Sequence, residues 1–261
     1  MTISSIGAAN QIIELLVSVR SRDEAVLAAR AGVDVIDFKE PSDGPLAPVQ
    51  PQVWQAAERE LPGAKLSAAL GESSTAIELA AFVPASFRYA KVGPSGVPEI
   101  SQLQHLWQSI HLPKSVELVP VAYADHEQAG CCAATEVLRA VIASGRSRLL
   151  IDTYLKDGRS LTDHLGVLQL TEILTEARVA GVWVALAGSV RLEQAECLHG
   201  LGIVPDCWGV RGDVCRYDDD AARRRSGHLD ADRVRRWIER VSRNRVTSFS
   251  SQAHSGDPFS S

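Results

Sequence analysis

Val35-Ile36-Asp37-Phe38-Lys39-Glu40-Pro41 is an apolar run that ends in an acid and a lysine two positions apart. Side chains on a strand alternate between its faces, so a strand here sends Asp37 and Lys39 to one side and Phe38 to the other. An enclosed lysine can serve as a nucleophile, provided that burial or another cation brings its pKa down from about 10.4 towards roughly 7 to 8. The plain alternative for an isolated D-x-K is a strand-end ion pair, and the rest of the chain decides between the two.

Outward from that run the same beat recurs. Before it, Ile13 to Val19 is an apolar strand, Ser21 caps a helix over Asp23 to Ala31, and Gly32 ends it. After it come a loop rich in proline and glycine (Pro41 to Pro51) and a helix over Gln52 to Glu60. Lys65 to Leu70, Phe87 to Val92, Val116 to Tyr123, Leu149 to Thr153, Val182 to Ala187 and Cys207 to Val210 are the further strands. Helices over Thr75 to Phe82, Glu99 to Ile110, Ala133 to Ser144, Leu165 to Val179, Arg191 to Leu198 and Ala231 to Val241 follow them in turn. Several strands are apolar throughout, as parallel strands covered on both faces are.

Eight strand–helix units predict an α/β protein with a single closed (β/α)₈ TIM barrel over residues 1–241, not an open doubly wound sheet. No G-x-G-x-x-G follows the first strand, which argues against dinucleotide binding. Asp218 to Gly227 reads as a solvated insertion, and residues 242–261 as a disordered, serine-rich tail.

The 261 residues suit one barrel, and 45% hydrophobic with 23% charged residues is ordinary for a globular chain. A net charge of -5 and a pI near 5.8 argue against non-specific nucleic-acid or anionic-membrane binding, where a basic stripe would be expected. Met1 to Asn10 lacks a signal-peptide pattern and no apolar run approaches a membrane span, so a cytoplasmic location is expected. Cys131, Cys132, Cys197, Cys207 and Cys215 match neither a C-x-x-C pair nor a zinc ligand set; they read as free thiols, with no metal expected. Cys215, in a glycine-containing turn after a strand, is the thiol to follow. Barrels often associate through their helices, so a homo-oligomer stays open.

Barrel enzymes carry their chemistry at the C-terminal ends of the strands. Strand two ends in Asp37 and Lys39, strand four in Lys91-Val92-Gly93, strand five leads into Tyr123-Ala124-Asp125, and strand six ends in Asp152-Thr153 with Lys156 beyond. Three lysines and three acids gathered at one rim suit Schiff-base chemistry. Two ammonium groups lower the pKa of a third, and Asp37, Asp152 and Asp125 are candidates for the acid and base that dehydration and proton abstraction need. Ala187-Gly188-Ser189 and Val210-Arg211-Gly212 follow the last two strands, where barrels hold phosphate on backbone N–H groups, with Arg211 available for a bidentate contact.

With these motifs on view, the chain resembles the (5-formylfuran-3-yl)methyl phosphate synthases from about Ile13 to Val241. The likeness is carried by Leu15-Leu16-Val17-Ser18, Asp37-Phe38-Lys39-Glu40-Pro41, Tyr89-Ala90-Lys91-Val92-Gly93, Ala122-Tyr123-Ala124-Asp125, Asp152-Thr153-Tyr154-Leu155-Lys156-Asp157-Gly158, Ala185-Leu186-Ala187-Gly188-Ser189 and Gly209-Val210-Arg211-Gly212. The resemblance implies condensation of two glyceraldehyde 3-phosphate molecules to a furan aldehyde phosphate, for a methanofuran- or methylofuran-type one-carbon carrier, without metal or redox cofactor. It also implies that Lys39 forms the Schiff base beside Asp37, and that Lys91, Asp152 and Lys156 assist proton transfer and phosphate departure. A class I aldolase acting on another sugar phosphate, and a silent barrel that binds a phosphometabolite, are the competing readings. Two departures from the family pattern stand out. Ala47 closes Gly44-Pro45-Leu46-Ala47 where glycine is usual, and Asp213 follows Gly212, where a carboxylate would repel phosphate unless a cation offsets it.

Overall fold

The structure, a computed structural model, describes residues 13–216 and 227–250. Eight parallel strands close into a barrel in chain order: β1 (Glu14–Val19), β2 (Val35–Phe38), β3 (Leu66–Ala69), β4 (Tyr89–Val92), β5 (Glu117–Tyr123), β6 (Arg148–Asp152), β7 (Trp183–Leu186) and β8 (Cys207–Val210), with β8 back beside β1. The helices between them are α1 (Arg22–Ala31), α2 (Pro51–Glu60), α3 (Ser73–Ala80), α4 (Ile100–Ser109), α5 (His126–Ala129), α6 (Ala134–Ala143), α7 (Val167–Val179) and α8 (Leu192–Gly200); α9 (Ala231–Ser250) follows the barrel. No described helix is long and apolar enough to cross a membrane.

The strand period of two divides the apolar residues between two cores. Leu15, Val17, Ile36, Phe38, Ala90, Val92, Ile151 and Leu186 pack outward with the helices. Leu16, Val35, Ala69, Tyr89, Val121, Leu150, Ala185 and Cys207 fill the barrel interior. That is why the strands look continuously apolar: both faces are covered. The α1 boundaries follow from local chemistry, since Ser21 accepts the Glu24 N–H and Gly32 closes the helix at φ 87°, a conformation that suits glycine.

The structure departs from the sequence reading at several places. The last helix runs to Ser250, beyond Val241. No glycine or proline interrupts the arginine-rich segment from Ala231 to Ser250, and arginine is a good helix former. The rest of the tail, 251–261, lies outside the described residues, as does most of the 218–227 insertion. A two-stranded antiparallel ribbon, β9 (Cys215–Arg216) with β10 (His228–Leu229), brackets that insertion. This ribbon and the four-residue α5 are too short to announce themselves by periodicity.

Candidate active site

Ordinary strand geometry builds the site. Ser18 and Asp37 are register partners on β1 and β2, so both point inward at the same height, and Lys39 extends that pairing by donating its N–H to Val19 O at 3.0 Å. Lys91 on β4 and Asp152 on β6 face inward by the same alternation. Beyond these side chains, at the C-terminal ends of the strands, opens a cavity of about 340 Å³. Small residues on one side of the barrel, Ala187 and Gly209, leave the room for it. Across from them Pro41 and Pro45 of the β2–α2 loop form the facing wall, with that loop closed by Glu40 N–H donating to Ala47 O at 2.7 Å and by the buried Leu46. Alanine at position 47 is thus compatible with a closed loop.

Charges interlock across the cavity floor. Lys91 Nζ lies 2.6 Å from Asp37 Oδ2, which also accepts from Ser18 Oγ at 3.0 Å. Asp152 sits between two lysines: Lys39 Nζ is 3.7 Å from Oδ2, while Lys156 Nζ donates to Oδ1 at 2.9 Å and to Thr153 Oγ1 at 3.0 Å. Burial alone would raise the Asp152 pKa, but Lys156 and Lys39 outweigh it and hold the carboxyl well below the usual carboxylate range. Lys39, only 9% exposed, has its amine brought down to about 8. Burial is the main cause; Asp152 opposes it, and Lys91 and Lys156 add smaller downward pushes. The expected activation by cationic neighbours is present, yet it is subordinate to desolvation.

Two sequence candidates are engaged otherwise than expected. Asp125 does not line the cavity; its two carboxylate oxygens accept the N–H groups of Tyr154 and Leu155 at 2.6 and 2.8 Å, which folds the loop that returns Lys156 to Asp152. Arg211 is not available for a bidentate phosphate contact. Its guanidinium donates to Glu24 at 2.5 and 3.1 Å, to Ser18 O at 3.0 Å and to Gly227 O at 2.7 Å, so it ties the end of β8 to α1. Nothing in the local sequence marks Glu24, 187 residues away, as its partner.

The Gly188-Ser189 turn does face the cavity. Gly188 has φ 98°, and a Cβ there would meet Thr153 Cγ2 at 2.9 Å, so only glycine fits. Ser189, at φ 54°, is the one non-glycine residue with positive φ among those described. Both residues of the turn line the cavity wall, on the rim where barrels of this kind hold phosphate. Gly212 opens a short 3₁₀ turn (Gly212–Val214) on the same rim. Asp213, which also lines the cavity, accepts from Leu192 N–H at 3.2 Å and from Trp237 Nε1 at 2.8 Å.

Two further residues join the site without a local sequence signal. Arg191 lines the cavity just past Ser189. Glu72, from the β3–α3 loop, accepts from Tyr123 OH at 2.6 Å and Ser95 N–H at 2.9 Å, and occupies the space that the missing side chain of Gly93 leaves. Burial raises the Glu72 pKa, against the opposing effect of those two donors. Tyr123 is the register partner of Asp152, so this network backs the cavity floor.

Chemically, the site combines a buried lysine amine with a lowered pKa, an ionised acid between two lysines, and a glycine turn that faces the cavity. The family model for 4-HFC-P synthase matches residues 15–238. The chain belongs to that family, and it is an enzyme. Among relatives of this enzyme, the (5-formylfuran-3-yl)methyl phosphate synthase of Methanothermobacter thermautotrophicus is 30% identical over 86% of the chain and 97% of the relative. That of Methanococcus aeolicus is 33% identical over 78% and 91%. Solved structures agree on the fold. N-(5'-phosphoribosyl)anthranilate isomerase from Pyrococcus furiosus superposes with TM-score 0.58 at 13% identity over 88% of this chain and 99% of that one, and 3-hexulose-6-phosphate synthase with 0.52 at 17% over 86% and 99%.

All five cysteines are free, and four of them are buried. Burial pushes the Cys215 thiol up to about 11, which leaves little reactive thiolate at neutral pH. Among the described residues no group of three or more histidine, cysteine or acidic side chains is arranged to hold a metal.

Proposed function

We propose that this enzyme condenses two molecules of glyceraldehyde 3-phosphate to (5-formylfuran-3-yl)methyl phosphate, releasing one phosphate and two waters, in the formation of a methanofuran- or methylofuran-type carrier. The triose that binds Lys39 reacts as its ketone isomer. The Lys39 amine attacks the ketone carbon, the carbinolamine loses water to an iminium, and loss of a proton from the hydroxymethyl carbon gives an enaminol that expels the phosphate on its other side. The terminal carbon of the resulting enamine then bonds to carbon 2 of the second triose, also in its ketone form, which gives the branched six-carbon skeleton of the furan. Asp152 is suited to accept and return these protons because it touches both Lys39 and Lys156. Lys156 supplies positive charge for phosphate departure, and Lys91 with Asp37 keeps the region under Lys39 polar but closed. Ring closure and dehydration complete the furan, and hydrolysis of the iminium frees Lys39.

The observation that carries this reading is the enclosed Lys39 amine, with a pKa near 8, beside Asp152 in a cavity with a glycine turn on its rim. The test is incubation with glyceraldehyde 3-phosphate, with and without borohydride, followed by peptide mass mapping. Expected are an adduct on Lys39, released inorganic phosphate and an ultraviolet-absorbing aldehyde. Folded protein that yields neither adduct nor aldehyde defeats the proposal. An adduct with both substrate phosphates retained in the product would instead indicate a class I aldolase.

A further inference from the structure

Five basic residues line the cavity: Lys39, Lys91, Lys156, Arg191 and Arg211. Four of them already face an acid, in the pairs Lys39–Asp152, Lys91–Asp37, Lys156–Asp152 and Arg211–Glu24. Arg191 differs. Its backbone N–H donates to Gln194 Oε1 at 3.0 Å, but its guanidinium has no hydrogen-bond or ion-pair partner among the described residues. The acids nearby are taken, Asp213 by Leu192 and Trp237, and Asp157 by Arg159 at 2.8 Å. The N–H groups of Gly188 and Ser189 likewise donate to no described acceptor, although Gly188 is buried.

We propose that Arg191 is the substrate-phosphate residue of this enzyme, its guanidinium closing over a phosphate seated on the Gly188 and Ser189 amides, in the role that the strand-end sequence suggests for Arg211. This rests on the triose phosphate reading above and deepens it. A phosphate ester carries about -1.5 to -2 charges at neutral pH, more than two amide dipoles can balance. Lending Lys91 to phosphate would strand the buried Asp37, Lys39 is the nucleophile, and Lys156 faces the phosphate that departs, so the phosphate that is retained needs another cation. A guanidinium without a partner can bind bidentately at no such cost. Arg191 is exposed, so its replacement leaves the packed barrel intact.

The test compares full-length wild type, Arg191→Gln and Arg191→Lys, after equal melting temperatures have been verified. Inorganic phosphate binding by titration calorimetry and borohydride trapping on Lys39 are the readouts, with glyceraldehyde 3-phosphate and unphosphorylated dihydroxyacetone as trapping partners. Loss of a charged hydrogen bond predicts about ten- to a hundredfold weaker binding of phosphate and of the phosphorylated triose in Arg191→Gln, partly restored in Arg191→Lys. Trapping with dihydroxyacetone should be unchanged. Wild-type phosphate affinity in Arg191→Gln, or equal losses for both trapping partners, overturns the assignment. If wild type traps no triose at all, the condensation reading fails, and the calorimetry still decides the anion site.

Discussion

The carboxylate of Asp37 takes its cation from Lys91, two strands round the barrel, at 2.6 Å, and not from Lys39 on its own side of β2. The D-x-K motif is therefore two half-pairs. Asp37 locks to β4, while Lys39 reaches across to β6 and Asp152 at 3.7 Å. Asp37 and Lys91 are 0% and 3% exposed, and Asp37 Oδ1 has no hydrogen-bond partner of its own.

Asp37→Asn should leave the Lys91 ammonium buried without a counter-charge. Breaking such a pair from one side costs about 3–5 kcal/mol, so the urea midpoint should fall substantially with little change in slope. Asp37→Leu combined with Lys91→Met should recover much of the stability without any activity, because burying two apolar groups avoids the desolvation of two charges.

The rate of adduct formation on Lys39 should follow its free-amine fraction, rising about tenfold per pH unit below a midpoint near 8 and levelling off above it. Asp152 is the strongest influence that keeps this amine protonated, so Asp152→Asn should move the midpoint to lower pH. Stability carries the same signature. Between about 8 and 10.5 the unfolded chain holds a proton on Lys39 that the folded chain has lost, so this residue makes stability rise with pH across that window. Thermal melts of Lys39→Met, compared with wild type from pH 7 to 10, should lack that rise.

Arg211→Met should act through folding. Glu24 and Arg211 are 9% and 6% exposed, and Glu24 also accepts from Leu229 N–H at 3.2 Å, so its carboxylate would be stranded between β8, α1 and β10. A loss of about 3–5 kcal/mol in chemical denaturation is expected. Unchanged stability with a raised KM would return Arg211 to the phosphate.

Gly93→Ala places a methyl group on the Glu72 carboxylate. Glu72 would have to leave Tyr123 and Ser95, at a cost of about 1–3 kcal/mol by overpacking. A Glu72→Ala background should remove most of that cost, which a double-mutant cycle on the melting curves would measure.

By itself the sequence determined the barrel and its inward-facing chemistry. A strand's period of two is local, so Asp37, Lys91 and Asp152 can be assigned to the interior, and the eightfold alternation of apolar runs with helical spacing leaves one way to cover every face. The Gly188-Ser189 turn was legible for a similar reason, since glycine at a strand end signals a backbone conformation.

Partnership is not local, and the tertiary structure alone decided it. Glu24 reaches Arg211 across 187 residues, the Tyr154 and Leu155 amides claim Asp125, and Glu72 finds Tyr123 through a space that only Gly93 provides. Each polar group inside the barrel must be satisfied by whatever closure brings near, and chain order holds no record of those distances. The same holds for Lys39. Its neighbours could be named from strand ends, but that exclusion of water outweighs those neighbours in freeing its amine follows only from how tightly the barrel mouth shuts around it.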